Sequence, residues 1–205
     1  MSIWGFFKSN KKKSNSIATK VSLDIQLERL ANFGVKPKDN DFVEWICNEW
    51  EMDSLESDPY ILVLFSMGGE REVENVWEPL SEDVYSFDTE CIEDEDSYKY
   101  VLEQLIAITK SELCISSIDS TVNHEDCTAS LSFIHNKVNY KWNLKYNDDW
   151  FDCAVITKLN TLLKGINSTK YFFVCVLDQS LIVLFTTKSI IEQLNRIVSN
   201  PFILM

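Results

Sequence analysis

The chain has 205 residues, 45% of them hydrophobic, which suits one large folded domain or two small ones and argues against intrinsic disorder. Its formal charge is −13, yet Lys8, Lys11, Lys12, Lys13 and Lys20 are the only charged residues among the first twenty. Setting those five aside leaves 14 basic against 32 acidic side chains, a body at −18 that phosphate backbones and anionic membranes repel and a basic protein attracts, so nucleic acid is not an expected partner.

Residues 1–18 read as a flexible basic tail and residues 19–205 as one α+β domain. In MSIWGFFKSNKKKSN the aromatic cluster precedes the lysines, the reverse of a signal peptide, and the segment is too short to span a bilayer. Trp4, Phe6 and Phe7 are compatible with a weak interfacial contact, but the expected location is the cytoplasm.

Val21, Leu23, Leu27, Leu30 and Phe33 recur at helical spacing, and Gly34 supplies a stop. After Pro37, Asp39 or Asn40 is placed to cap a second helix whose Phe42, Val43, Ile46 and Trp50 share a face. Asp58-Pro59 resembles a cap followed by a first-turn proline, and the apolar run from Tyr60 to Met67 ends at Gly68-Gly69, which favours a short buried helix.

The stretch from Glu78 to Asp96 follows, with no Lys or Arg between Arg71 and Lys99. Val84, Tyr85 and Phe87 form a β-prone run inside it, with Trp77 just before, so part of this acidic stretch belongs to a packed sheet. Asp96 or Ser97 is placed to cap a helix carrying Tyr100, Val101, Leu102, Leu105, Ile106 and Ile108. The segments 113–118, 129–134 and 138–144 alternate as strands, with His135-Asn136-Lys137 as a turn. A helix through Val155, Ile156, Leu159, Leu162 and Leu163 precedes two strands, 171–177 and 181–187, and a helix over 189–198 closes the series. Consecutive strands joined by tight turns imply antiparallel pairing: a mixed or antiparallel sheet of about five to six strands packed with helices.

Six cysteines lack any C-x-x-C spacing, and most lie in apolar runs such as Tyr171 to Leu177, where a reduced thiol acts as a small core residue. Phe87-Asp88-Thr89-Glu90 looks like the first metal motif of a DEDD exonuclease, but no His-x4-Asp or Tyr-x3-Asp motif accompanies it to supply the base. The acidic run Glu93 to Asp96 lacks the central glycine of an EF-hand, since no glycine lies between Gly69 and Gly165, and His124 with Cys127 makes only half of a zinc set. Nucleophile elbows and glycine-rich phosphate loops are absent from the sequence. A binding protein without metal or cofactor is favoured over an enzyme.

Taken together, Asp58-Pro59-Tyr60, Gly68-Gly69-Glu70, SEDVYSFDTECIEDEDSY over 81–98 and Asn147-Asp-Asp-Trp-Phe-Asp152 resemble bacterial polymorphic-toxin immunity proteins, over roughly residues 25 to 165. The resemblance implies a stoichiometric inhibitor that binds a cognate toxin C-terminal domain without turnover. A nuclease toxin must hold phosphates and is accordingly basic, which an acidic inhibitor complements. The candidate acidic set is Asp88, Glu90, Glu93, Asp94, Glu95, Asp148, Asp149 and Asp152, with Tyr85, Trp77 and Trp150 as aromatic anchors. Each also has a plainer role: Trp77 and Trp150 as core or lid residues, Asp149 and Asp152 as helix caps, Asp88 as a turn acceptor. The competing functions are an adaptor whose lysine-rich tail touches membrane and, more remotely, the exonuclease.

Overall fold

The structure is a computed structural model that describes residues 20–205, so the basic tail and its interfacial contact lie outside the described residues. The fold is α+β, as the sequence predicts, but its strands form three antiparallel sheets in place of one.

The central sheet has the order β3-β8-β7-β9, built from β3 (Val84–Asp88), β8 (Ser180–Thr187), β7 (Lys170–Leu177) and the two-residue β9 (Ile203–Leu204). Strands β7 and β8 are nearly continuous apolar runs, and a strand of that kind must be covered on both faces. Alternation sends Tyr85, Phe87, Phe172, Val174, Leu181, Val183 and Phe185 into one core and Val84, Phe173, Cys175, Ile182 and Leu184 into another. The second core is closed by α1 (Leu23–Asn32), α2 (Phe42–Glu49), α3 (Met52–Ser57), α4 (Ile61–Met67) and α7 (Lys188–Leu194). The first is closed by α5 (Ser97–Ala107), α6 (Ala154–Gly165) and the inner face of the sheet β4-β5-β6, formed by β4 (Ile115–Asn123), β5 (Thr128–His135) and β6 (Val138–Leu144). A short hairpin of β1 (Glu70–Val73) and β2 (Val76–Pro79) makes the third sheet.

Three amide side chains, Gln26 and Asn160 buried and Asn195 half-buried, splice these layers through hydrogen bonds. Gln26 donates to the carbonyls of Val21 and Leu55 at 2.7 and 2.8 Å and accepts the Tyr60 N–H at 2.6 Å, which ties α1, α3 and the start of α4 together. That contact displaces the expected Asp58 cap: Tyr60, at φ 76°, occupies the cap position of α4 and Gln26 satisfies its amide. Asn160 of α6 accepts the Phe172 N–H at 2.8 Å and donates to the Phe172 carbonyl at 2.9 Å, acting as a strand partner for β7. Asn195 does the same for both main-chain groups of Phe202, at 2.8 Å each.

Other expectations need correction. The cap of α2 is Asp41, whose N–H is accepted by Asp39, while the Asp39 carboxylate also pairs with Arg71 at 2.5 Å. Only Cys175 is buried; Cys91 and Cys153 are half-buried, and Cys47, Cys114 and Cys127 are exposed because they fall on the outer face of α2, before β4 and in the β4–β5 turn. His135 is buried, with Nδ1 2.8 Å from the Cys114 carbonyl. Trp77 is 64% exposed, on the hairpin and not in the core. No helix among the described residues is long and apolar enough to cross a membrane.

Gly68 is where α4 meets β3. A Cβ placed there would lie 2.5 Å from the Ser86 backbone nitrogen, the same nitrogen that donates to the Gly68 carbonyl at 2.8 Å. At Gly69 a Cβ meets only the Ser66 carbonyl, at 3.4 Å. Gly68→Ala is therefore expected to cost about 1–3 kcal/mol in urea unfolding, whereas Gly69→Ala stays within about 1 kcal/mol of the wild type. Equal effects at the two positions would contradict this packing.

Candidate functional site

The two acidic segments singled out in the sequence, 88–96 and 147–152, are 50 or so residues apart in the chain and adjacent in space. Thr89 accepts the Phe151 N–H at 2.7 Å, the Ile92 N–H donates to the Asp149 carbonyl at 2.9 Å, and Glu90 and Trp150 form an antiparallel bridge between them. The pair is fastened to the central sheet, because the amide and hydroxyl of Thr89 both donate to the Gln179 carbonyl in the β7–β8 turn, at 2.7 and 2.6 Å. Phe151 pins the assembly from below, edge-on to Phe87 at 5.2 Å and tilted against Tyr98 at 5.4 Å. The outcome is an acidic ledge set on the first core.

Within the ledge the carboxylates divide into two kinds. Some hold the backbone. Asp88 accepts the Glu90 N–H at 2.9 Å, and Asp94 accepts the Asp96 N–H at 3.0 Å and the Ser97 hydroxyl at 2.8 Å. The Ser97 hydroxyl oxygen in turn accepts the amides of Glu93 and Asp94, both at 3.1 Å. Asp152 accepts from Lys145 and Ala154 at 2.9 and 3.1 Å, and its own N–H donates to the Tyr98 hydroxyl at 3.0 Å. Asp88 and Asp152 thus fill the turn and cap roles that the sequence also allows them.

The other kind faces outward. Glu90, Glu93, Glu95, Asp148 and Asp149 are exposed and form no ion pair among the described residues. Elsewhere in the acidic stretch three carboxylates are ion-paired: Glu78 with Lys38 at 2.8 Å, Asp83 with Lys110 at 2.6 Å and Asp96 with Lys99 at 3.7 Å. Trp150 is half-buried beside the outward group.

Tyr85 is not a surface anchor. It is 6% exposed, stacked on Phe87 with ring centroids 5.0 Å apart, because β3 turns it inward beneath α5. Its edge reaches a groove of about 420 Å³ between the start of β1, β3, the 91–97 loop and the first turns of α5. Glu70 and Tyr100 line that groove and are hydrogen-bonded to each other. Neither carried a local signal: they are 30 residues apart, and only the fold makes them neighbours.

No group of three or more His, Cys, Asp or Glu side chains is arranged to hold a metal ion among the described residues, and Asp88 and Glu90 point to no third acidic partner. Beneath the ledge lie two thiols. Burial pushes Cys91 up to about 12 and Cys153 up to about 11, with the nearby carboxylates Asp88 and Asp152 adding to each. Because both folded values exceed the ordinary 9.0, the stability these neutral thiols contribute is complete below about pH 9 and is lost as the pH climbs through 11 and 12. The melting temperature is expected to fall above about pH 9, and to fall less steeply in a Cys91→Ala, Cys153→Ala variant. An unchanged slope in that variant would place the titrating groups elsewhere.

Comparison with protein-family models, with curated proteins and with solved structures finds no match for this chain.

Proposed function

We propose that this protein is an immunity-type inhibitor that binds and neutralises a basic toxin domain, a nuclease by preference, through the acidic ledge, in the cytoplasm of the cell that makes it. The observation that carries the proposal is the cross-bridging of 88–96 with 147–152, which gathers exposed, unpaired carboxylates from two distant parts of the chain onto one supported surface. A carboxylate cluster that served only solubility would need no such support. Burial of Phe151 and the double anchor at Thr89 support a surface ordered before its partner arrives, which lowers the entropic cost of binding.

Complementary charge acts first on the encounter. It raises association rates from about 10⁵–10⁶ toward 10⁸–10⁹ M⁻¹s⁻¹ at low salt, which suits an inhibitor that must reach its target before damage accumulates. Tight binding requires desolvated anchors as well. Trp77, exposed on its hairpin, and Trp150, at the centre of the ledge, are the aromatic side chains placed to provide them.

The test is growth rescue. A candidate basic toxin domain, sought as the C-terminal segment of any large protein encoded next to this one, is expressed in a sensitive host, with and without this chain and with an unrelated acidic protein as control. Specific rescue is expected. Reversal of the outward charges, Glu90→Lys, Glu93→Lys and Glu95→Lys, leaves the backbone-holding Asp88, Asp94 and Asp152 in place and is expected to slow association at least about tenfold at low salt. Failure of rescue by well-expressed protein against a toxic segment would reject that pairing and favour an adaptor, and an unchanged association rate would remove the ledge from the interface.

A further inference from the structure

The described residues leave no fully buried side-chain nitrogen or oxygen without a hydrogen-bond partner. Tyr85 keeps to that economy by opening its hydroxyl onto a groove. The residue is only 6% exposed and lines the groove between β3 and α5, and its hydroxyl, which makes no hydrogen bond to any described residue, is open to that groove. A tyrosine hydroxyl in this setting offers a hydrogen-bonding oxygen to whatever occupies the groove. Here the neighbouring groups are Tyr100, Cys91 and Glu70, all at the groove.

The groove has the chemistry of a cation site. Tyr85, Phe87 and Tyr100 supply aromatic surface, and Glu70, Asp94 and Asp96 supply carboxylates. One cation of the chain reaches this set, Lys99, which lies 3.7 Å from Asp96 and leaves Glu70 and Asp94 without an ion pair among the described residues. Trp77 extends the same surface: the pairs Glu70↔Pro79 and Glu72↔Trp77 put Trp77 on the hairpin face that carries Glu70. A planar cation that stacks on rings while donating several N–H bonds to oxygens is a guanidinium.

We propose that this groove receives one arginine side chain of the basic partner, with its guanidinium between the Glu70 and Asp94 carboxylates and donating to the Tyr85 hydroxyl. The proposal rests on the partner being a basic protein, and it makes the groove the specificity pocket beside an electrostatic ledge. Arginine would provide the buried anchor that outward-facing carboxylates alone do not.

The probe is N-acetyl-arginine methylamide, titrated into the ¹⁵N-labelled full chain, with the uncharged citrulline analogue as control. Saturable shifts are expected at the amides of Glu70, Ser86, Phe87 and residues 94–101, in the millimolar range usual for so small a ligand, with none for citrulline. Tyr85→Phe removes a hydroxyl that has no partner within the described residues, so it should leave the unfolding midpoint unchanged while weakening arginine binding about threefold to tenfold, and Glu70→Gln should do at least as much. Shifts scattered over the acidic surface without saturation at about 50 mM, equal binding of citrulline, or unaltered binding by Tyr85→Phe would overturn the pocket. Growth rescue that fails while the groove binds arginine sinks the immunity proposal alone; rescue without arginine binding sinks the pocket alone.

Discussion

The constraint on which this structure depends is a sheet that has no wet face. Strands β7 and β8 carry apolar side chains on both sides, and each large one that is fully buried contributes about 1.5–3 kcal/mol relative to exposure. An antiparallel sheet can ordinarily leave one face to solvent. This one cannot, so helices must close one side, and helices plus a second sheet must close the other. The rest follows from where the covering elements start and stop. Segment 88–96 runs from the end of β3 to α5, and 147–152 lies in the link from β6 to α6; both emerge over the first core, where their main chains find each other.

That geometry explains which parts of the fold were legible in the sequence. Helical periodicity over 21–33, the run from Tyr60 to Met67 and the paired strands 171–177 and 181–187 depend on local pattern, and each appears in the structure with small shifts at the ends. The β1–β2 hairpin was not legible, because its strands are four residues long, heavily charged and joined by Glu74-Asn75 in place of a glycine turn, though both turn residues adopt positive φ. The division into three sheets also escaped, since alternation tells which face a residue takes and not which strand lies beside it. Capping was misread for a similar reason: Gln26, 34 positions away from Tyr60, supplies what Asp58 was placed to supply.

The candidate site was legible as composition and not as arrangement. An acidic stretch and an Asp-rich turn near Trp150 are visible in the residue string, but their adjacency is a long-range fact. So is the sorting of carboxylates into those that hold loops, such as Asp94 and Asp152, and those that face outward, such as Glu93 and Asp149. Tyr85 shows the limit most clearly. The residue string offers it as an aromatic anchor, the fold makes it a core residue, and its hydroxyl, with no hydrogen-bond partner among the described residues, gives the neighbouring groove a specific chemical character.

The central claim is that the acidic ledge is already ordered and fastened to the core before any partner binds. Native-state amide hydrogen exchange on the free chain tests it most directly. The Ile92 and Phe151 amides, which donate across the two segments, should exchange as slowly as amides in β7 and β8, through opening of the whole core. Exchange of both at the rates of unprotected loop amides would show two independent acidic loops, and would contradict the account.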